Sequence, residues 1–366
     1  MKRSITFLFP FFLILLCSFK IETFQWAYDA QYKIISYNNC ESYNCQSSSP
    51  LLVPNFKFYF GGANADYFTK VITHGGDYYA IGNSAGRASL TRISNAGNVL
   101  WTRELSITSA WNDLIITTNN EILLVGINGN YDNNAKSLIG TCTLGGIMNI
   151  KSYNYSNRES LTKIYLNPNP ENPSFPYYII GVSNSGGSSQ DDILIINANS
   201  IGAINWSKNI YNQSQDFEFY RDISIQSNSG DMVLIGNNLG KAAMVQINKS
   251  GTVINGLEFN ENMRFNTIVS NSTPIAGYNH LLGGSNNVTT VAQLMKVNGL
   301  NTILYNYKVD SLDAITKIIS KPGGGYYALG RGTIRGANRS VVLSLSEVGN
   351  SFTLDWSKTL SDNSSL

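Results

Sequence analysis

The sequence predicts an all-β protein built from one repeated unit, and three observations carry that prediction. The stretch "HGGDYYAIG" at residues 74–82 returns as "PGGGYYALG" at 322–330. A glycine closing an apolar run recurs as Gly82, Gly126, Gly181, Gly236, Gly283 and Gly330, at spacings of 44, 55, 55, 47 and 47 residues. No window of useful length carries apolar residues at i, i+3, i+4 and i+7, so helix content is expected to be close to nil.

Each unit has the same internal order. A first strand has a β-branched core, as in "FTKVI" (68–72), "LTKIY" (161–165) and "ITKII" (315–319). A turn rich in Gly, Asn or Pro follows, as in "HGGD", "TNNE", "SNSGD" and "KPGGG", because such turns need positive φ. The second strand ends in the anchor glycine, read here as the point where the chain leaves the sheet. After a variable polar loop comes a third strand: "SLTRIS" (89–94), "ILIINA" (193–198), "AMVQIN" (243–248) or "VVLSLS" (341–346). A second glycine turn, at Gly97, Gly145 or Gly146, Gly202, Gly251, Gly299 and Gly349, leads to a fourth strand. That strand opens on tryptophan in "VLWTREL" (99–105), "INWSKNI" (204–210) and "LDWSKTL" (354–360). Four short strands joined by tight turns and repeated six times predict a β-propeller of six four-stranded blades.

The chain has 366 residues, 43% of them hydrophobic and 14% charged, with a formal net charge of +2. That supplies a core, and the absence of a basic field excludes nucleic acid as a partner. Lys2 and Arg3 precede an apolar run from Ile5 to Phe19 that Lys20 stops, so residues 1–24 read as a signal peptide, with an uncleaved signal anchor as the alternative. The run is shorter than the ~20 residues a bilayer span needs, so no stable membrane span is expected unless the signal is retained. Leu16 before Cys17 disfavours a lipidation signal. Residues 25–54 form a separate segment in which Cys40 and Cys45 ("CESYNC") predict a small disulfide loop of an oxidising compartment. Residues 55–366 form the propeller. Cys142, inside an apolar strand pattern, is expected to be a buried free thiol.

Within residues 55–366, Gly-Gly-Tyr before a strand ending in Gly, a basic third strand, and "NAGNVLW" closing with a basic residue resemble the β-propeller repeats of secreted and cell-surface proteins. The unit there runs D-G-G-Y-x-x-x-G and then K-x-D-x-x-G-x-x-x-W. The resemblance is strongest in the first and last units. In the second, fourth and fifth no tryptophan fills the fourth strand, and Met148 or Ile150, Leu257 and Tyr305 are the expected substitutes. It implies the fold well and the function poorly, because propellers host unrelated activities. "RISNAGNVLW" is also similar to the blades of quinoprotein dehydrogenases, but those carry eight blades and a quinone site, and no cofactor constellation is found here. The segment "NFKFYFGG" (55–62) matches a fourth strand without its three predecessors, and the chain stops where another first strand is due. A seven-bladed ring in a truncated sequence is therefore weighed beside six blades alone.

Residues able to carry chemistry are few. His74 and His280 are read as surface turn residues rather than metal ligands or a triad base. Asp66, Glu159, Glu218 and Asp313 recur five positions before a shared first-strand residue, and Lys70, Lys163 and Lys317 recur within those strands. They are read as structural, holding loop donors or pairing with the lysines, not as a catalytic pair. Asp132 in "YDNN" and Asp191 in "SQDD" offer oxygens to calcium without the spacing of a complete calcium loop, so the cofactor expectation is none. "NSGGSS" lacks the lysine of a phosphate loop. Eight Asn-x-Ser/Thr sequons occur, about as many as chance gives in so Asn-rich a chain.

A binding face is expected where second–third loops and blade-to-blade connections share one end of the repeat, since loops on a rigid scaffold vary freely. Trp111, Tyr131, Asp132, Asp191 and the basic trio Arg331, Arg335 and Arg339 are the candidate contacts. The expected function is an extracellular or surface-exposed binding or adhesion module for polysaccharide or protein. An extracellular hydrolase or lyase and a structural envelope component are the alternatives.

Overall fold

A computed structural model describes residues 66–129, 135–154, 158–184, 192–210, 219–238, 241–259, 263–273, 277–286, 289–299, 302–334, 337–349 and 351–360. The signal segment, Cys40 and Cys45, and the strand-like stretch 55–62 lie outside the described residues. Among the described residues there is no helix, and so none long and apolar enough to cross a membrane.

Among the described residues the strands form six antiparallel four-stranded meanders, the blades the repeat predicts. Blade one comprises Asp66–His74, Asp77–Ser84, Arg87–Ile93 and the first part of Val99–Ile116. That 18-residue strand then opens blade two, followed by Glu121–Asn128, Lys136–Thr143 and Met148–Tyr153, so the two blades share one seven-stranded sheet. Blade three runs through Glu159–Leu166, Tyr177–Ser183, Asp192–Ala198 and Ile204–Ile210. Blade four has Phe219–Ile225, Met232–Asn238, Lys241–Ile247 and Val253–Glu258, and blade five Met263–Thr273, Gly277–Asn286, Ala292–Asn298 and Ile303–Val309. Blade six ends the series with Ala314–Ser320, Tyr326–Ile334, Ala337–Val348 and Ser351–Leu360.

Burial explains the sequence pattern. The second and third strands are buried on both faces, in Tyr177–Ser183 and Asp192–Ala198 almost throughout. They therefore read as continuous apolar runs and lose the period-two signal of a half-buried strand. Fourth strands are largely exposed, as in Met148–Tyr153 and Val253–Glu258.

The chain divides into two compact bodies. The first holds the described residues up to Tyr165 together with Ile179–Gly181 and Ala198–Ala203, and the second holds the rest. In the first, Tyr79, Ile81, Leu90, Trp111, Leu114 and Leu124 form a buried cluster that also takes in Cys142. In the second, one cluster surrounds Phe259, Phe265 and Leu282 and another surrounds Leu294, Ile315 and Leu343. Cys142 is a buried free thiol, and burial pushes its pKa up to about 11, so it is unreactive while the fold is intact.

The anchor glycine has a different cause from the one its position suggests. It sits within the second strand, opposite a β-bulge in the first: Phe68 pairs with Gly82 and Trp111 with Gly126, and the register shifts immediately after each. The bulge turns a carbonyl toward the glycine, so a Cβ on Gly82 or Gly126 would collide with the oxygen of Tyr67 or Ala110. In blade five the residue so placed is Gly284, paired with Phe265 and facing the Arg264 carbonyl. The anchor there is thus one residue later than Gly283, and the last two spacings become 48 and 46.

Fourth-strand aromatics close the seams between blades. Trp101 lies over Gly146 of the next blade, where a Cβ would crowd the Arg103 guanidinium and the indole, and its Nε1 donates to the Leu144 carbonyl at 3.2 Å. Trp206 covers Gly251 in the same way. In blade two the reach falls to Tyr153, whose hydroxyl donates to the Gly202 carbonyl at 2.9 Å, rather than to Met148 or Ile150. Tyr305 packs edge-on against Phe352, as its position predicts.

Candidate binding face

The bulged first strands present two successive side chains to the neighbouring blade, and in the first body these build a continuous belt. Thr69 Oγ1 donates to the Trp111 carbonyl at 3.1 Å, and Asn112 Nδ2 donates to the Leu161 carbonyl at 2.7 Å. Lys70 forms an ion pair with Asp113 and also donates to the Leu114 carbonyl at 3.0 Å. Asp113 is buried. Its Oδ2 accepts the Ile164 amide at 2.9 Å and its Oδ1 accepts the Leu114 amide at 3.0 Å. This carboxylate joins three blades and is fully engaged in doing so.

The second body repeats the device with other residues. Asp222 Oδ2 accepts the Ile268 amide at 3.1 Å, the Thr267 hydroxyl at 2.9 Å and the Lys317 ammonium at 2.8 Å. Thr267 Oγ1 in turn accepts the Ile318 amide at 3.2 Å, and Asn266 Nδ2 donates to the Ile315 carbonyl at 2.8 Å. Lys70 and Lys317 are therefore structural, as their recurrence predicts, but their partners are Asp113 and Asp222. Those acids occupy the lysine's own place on other blades, instead of preceding it as Asp66, Glu159, Glu218 and Asp313 do.

Above the belt of the first body lies an open depression of about 700 Å³. Its walls come from the turn after each second strand, Asn83 and Gly86 in blade one and Ile127 and Gly129 in blade two, and from the blade crossover Thr108–Ala110. Asn112, Ser160 and Thr162 form the side toward blade three, and Tyr67 stands at the opening, 44% exposed. This is the end of the repeat where loops were expected to bind.

The local sequence makes that wall rigid. Ala85 and Gly86 both adopt positive φ, 52° and 83°, which is the two-residue hairpin turn that follows strand twist. Asn83 locks it: Oδ1 accepts the Gly86 amide at 2.8 Å, and Nδ2 donates to the Ser109 carbonyl at 3.0 Å. Ser109 Oγ accepts the Ala88 amide at 3.1 Å and donates to the Ile107 carbonyl at 2.8 Å. Tyr67 and Thr108 make no side-chain hydrogen bond among the described residues. No lining residue carries a carboxylate, an imidazole, an ammonium or a thiol.

Of the residues singled out from sequence, Trp111 needs correction. It lies in the strand Val99–Ile116 and is fully buried in the core of the first body, packed against Gly140, so it cannot touch a ligand. It stands between Ala110 and Asn112 and holds the place in blade two that the buried Phe68 holds in blade one, each pairing with the anchor glycine just before the bulge. Tyr131, Asp132, Asp191 and Arg335 lie outside the described residues. Arg331 is exposed at the second–third hairpin of blade six and Arg339 is half-buried across from it, with Arg331 paired to Ser340 and Arg339 to Gly332. They belong to the second body and take no part in the depression.

His280 also departs from expectation. It is buried in the strand Gly277–Asn286, its Nδ1 lies 2.8 Å from Ser270 Oγ, and desolvation pushes its pKa down to about 4, so it is a neutral core residue. His74 is half-buried at the end of its strand. Among the described residues no group of three metal-ligating side chains converges.

The residues that do line the depression, Tyr67, Thr108 and Asn112, were not singled out from sequence. Tyr67 could have been found by alternation in "DYFTKVI", where Phe68 points into the core and its neighbour must point out. Thr108 and Asn112 have no such signal among so many Thr and Asn.

No protein-family profile matches the chain, and no curated protein is similar to it in sequence. Solved structures are similar in fold. The Dos1 propeller is 13% identical, with a TM-score of 0.56 over 85% of this chain and 73% of the other. A catalytically inactive virginiamycin B lyase from Staphylococcus aureus, solved with quinupristin, is 15% identical, with a TM-score of 0.50 over 79% of this chain and 84% of the other. Identities this low establish architecture alone. Together with the six repeated meanders, they make this chain a β-propeller repeat protein.

Proposed function

We propose that the protein is an extracellular or cell-surface propeller acting as a binding or adhesion module for polysaccharide or protein, and that the ligand docks at the Tyr67 depression of the first body. The observation that carries this reading is the depression itself. It is open, lies at the end where second–third turns and blade crossovers meet, and is walled by side chains already locked by hydrogen bonds. A preorganised wall lowers the ordering cost of binding. The neutral lining supplies no general acid or base, which favours binding over hydrolysis. The signal-like residues 1–24 and the Cys40/Cys45 pair support the extracellular placement.

The test uses the full chain carrying a C-terminal tag. Fractionation is expected to find the tag in the medium or accessible to antibody on intact cells, and the purified protein to bind an extracellular polysaccharide or protein. Thr108→Arg, which fills the depression from an exposed position, is expected to abolish that binding without lowering the melting temperature. A cytosolic protein, or binding indifferent to Thr108→Arg, overturns the reading.

A further inference from the structure

We infer that the Tyr67 depression takes a neutral, hexose-based glycan; this rests on the binding-module reading and names the ligand class of the same site. The volume of about 700 Å³ lies within the ~300–1,000 Å³ of small-molecule sites. Its polar lining consists only of hydroxyls, amides and backbone. A sulfated, phosphorylated or carboxylated ligand would need a cation in the lining, which has none: Lys70, on the Tyr67 strand, is committed to Asp113 and to the Leu114 carbonyl, and the exposed Arg87, paired with Thr108, stands outside the lining. A cationic ligand would meet the same difficulty, because Asp113 is buried and already holds the Leu114 and Ile164 amides. A net charge on the ligand would find no opposite charge in this lining.

A pyranose ring has the complementary chemistry: a C–H face and an edge of hydroxyls. The exposed ring of Tyr67 provides an aromatic surface for the face, with Ile127 as the other apolar wall. The hydroxyls of Tyr67 and Thr108 make no other side-chain hydrogen bond among the described residues and can serve the edge. Asn112 is half-buried beside them, held by the Leu161 carbonyl at 2.7 Å and Ser160 Oγ at 3.3 Å, so its amide is already oriented. A protein partner fits less well. Stable protein interfaces bury roughly 800 Å² per side around a cluster of aromatic anchors, whereas this site offers one aromatic ring.

The experiment is calorimetric titration of the full chain with maltotetraose, cellotetraose, mannotetraose and chitotetraose, beside sialyllactose and a sulfated tetrasaccharide. At least one neutral tetrasaccharide is expected to bind and neither anionic one to bind better. Tyr67→Ala is expected to weaken that binding about tenfold and Tyr67→Trp to keep it. Thr108→Arg is expected to abolish it, and all three variants should melt with the wild type. Binding confined to the anionic sugars, or neutral-sugar binding untouched by Tyr67→Ala and Thr108→Arg, overturns the inference. If no sugar binds but an extracellular protein is captured and released by Thr108→Arg, the glycan assignment falls and the binding-module reading stands. If nothing binds at this face, both fall.

Discussion

Asp113 and Asp222 hold the same place in the first strands of blades two and four, yet they gather their partners differently. Asp113 takes its lysine from the blade before, Lys70, and an amide, Ile164, from the blade after. Asp222 takes its amide, Ile268, from the blade after, but its lysine, Lys317, from the blade beyond that. Lys70 is 31% exposed at the side chain and Lys317 is 54% exposed. The constant element is the neighbour's amide, and the cation is the variable one. Thr267 shows this most plainly, since it accepts the Ile318 amide with a hydroxyl and no charge.

The comparison can be broken most severely at the acids. Asp113→Ala leaves a lysine and two amides without their acceptor, and a loss of about 3–5 kcal/mol is expected. Asp222→Ala should cost less, because its lysine can turn to water. Denaturant midpoints rank the two, and equal losses would show that the cation matters as much as the amide.

Acid separates the bodies next. His280 in the second is neutral when folded, with its pKa lowered to about 4 from 6.5. The unfolded chain therefore binds the extra proton between those values. The stability His280 contributes is full above pH 6.5 and is lost as pH falls toward 4, at no more than about 1.4 kcal/mol per unit. His280→Asn should flatten that slope, and hydrogen exchange at pH 5 should loosen the second body in the wild type before the first.

The lysines give the smallest effects. Lys70→Met leaves Asp113 with its two amides and should cost about 1–2 kcal/mol. Lys317→Met, at a half-exposed site, should cost less than about 1 kcal/mol. A larger loss for Lys317 than for Lys70 would reverse the ranking.

Much of this was legible in the chain. Turn glycines, doubly buried strands and tryptophans placed the blades and their order, because each marks a backbone requirement that recurs. What a single strand could not reveal was the bulge. It set the phase at Gly284 where the doublet Gly283-Gly284 is ambiguous. The belt had a readable trace: in the column Lys70, Asp113, Lys163, Asp222, Thr267, Lys317 the first four members alternate in charge. Its three lysines align from the sequence alone, and the structure adds Asp113, Asp222 and Thr267 as the residues in the same place. The depression was legible in place but not in residues, since Thr, Ser and Asn carry no periodic signal and the loops holding Tyr131 and Asp191 drew attention by their length.

The strand Val99–Ile116 passes from blade one to blade two without a break. Between blades five and six, by contrast, residues 310–313 separate the strands Ile303–Val309 and Ala314–Ser320. Between blades one and two a single pleated ribbon is the splice, and the crossover Thr108–Ala110 that walls the depression is its midpoint. Force applied to either blade is transmitted along the backbone rather than through a loop. Under the proposed adhesion role, tension on a docked ligand would be borne by this continuous strand.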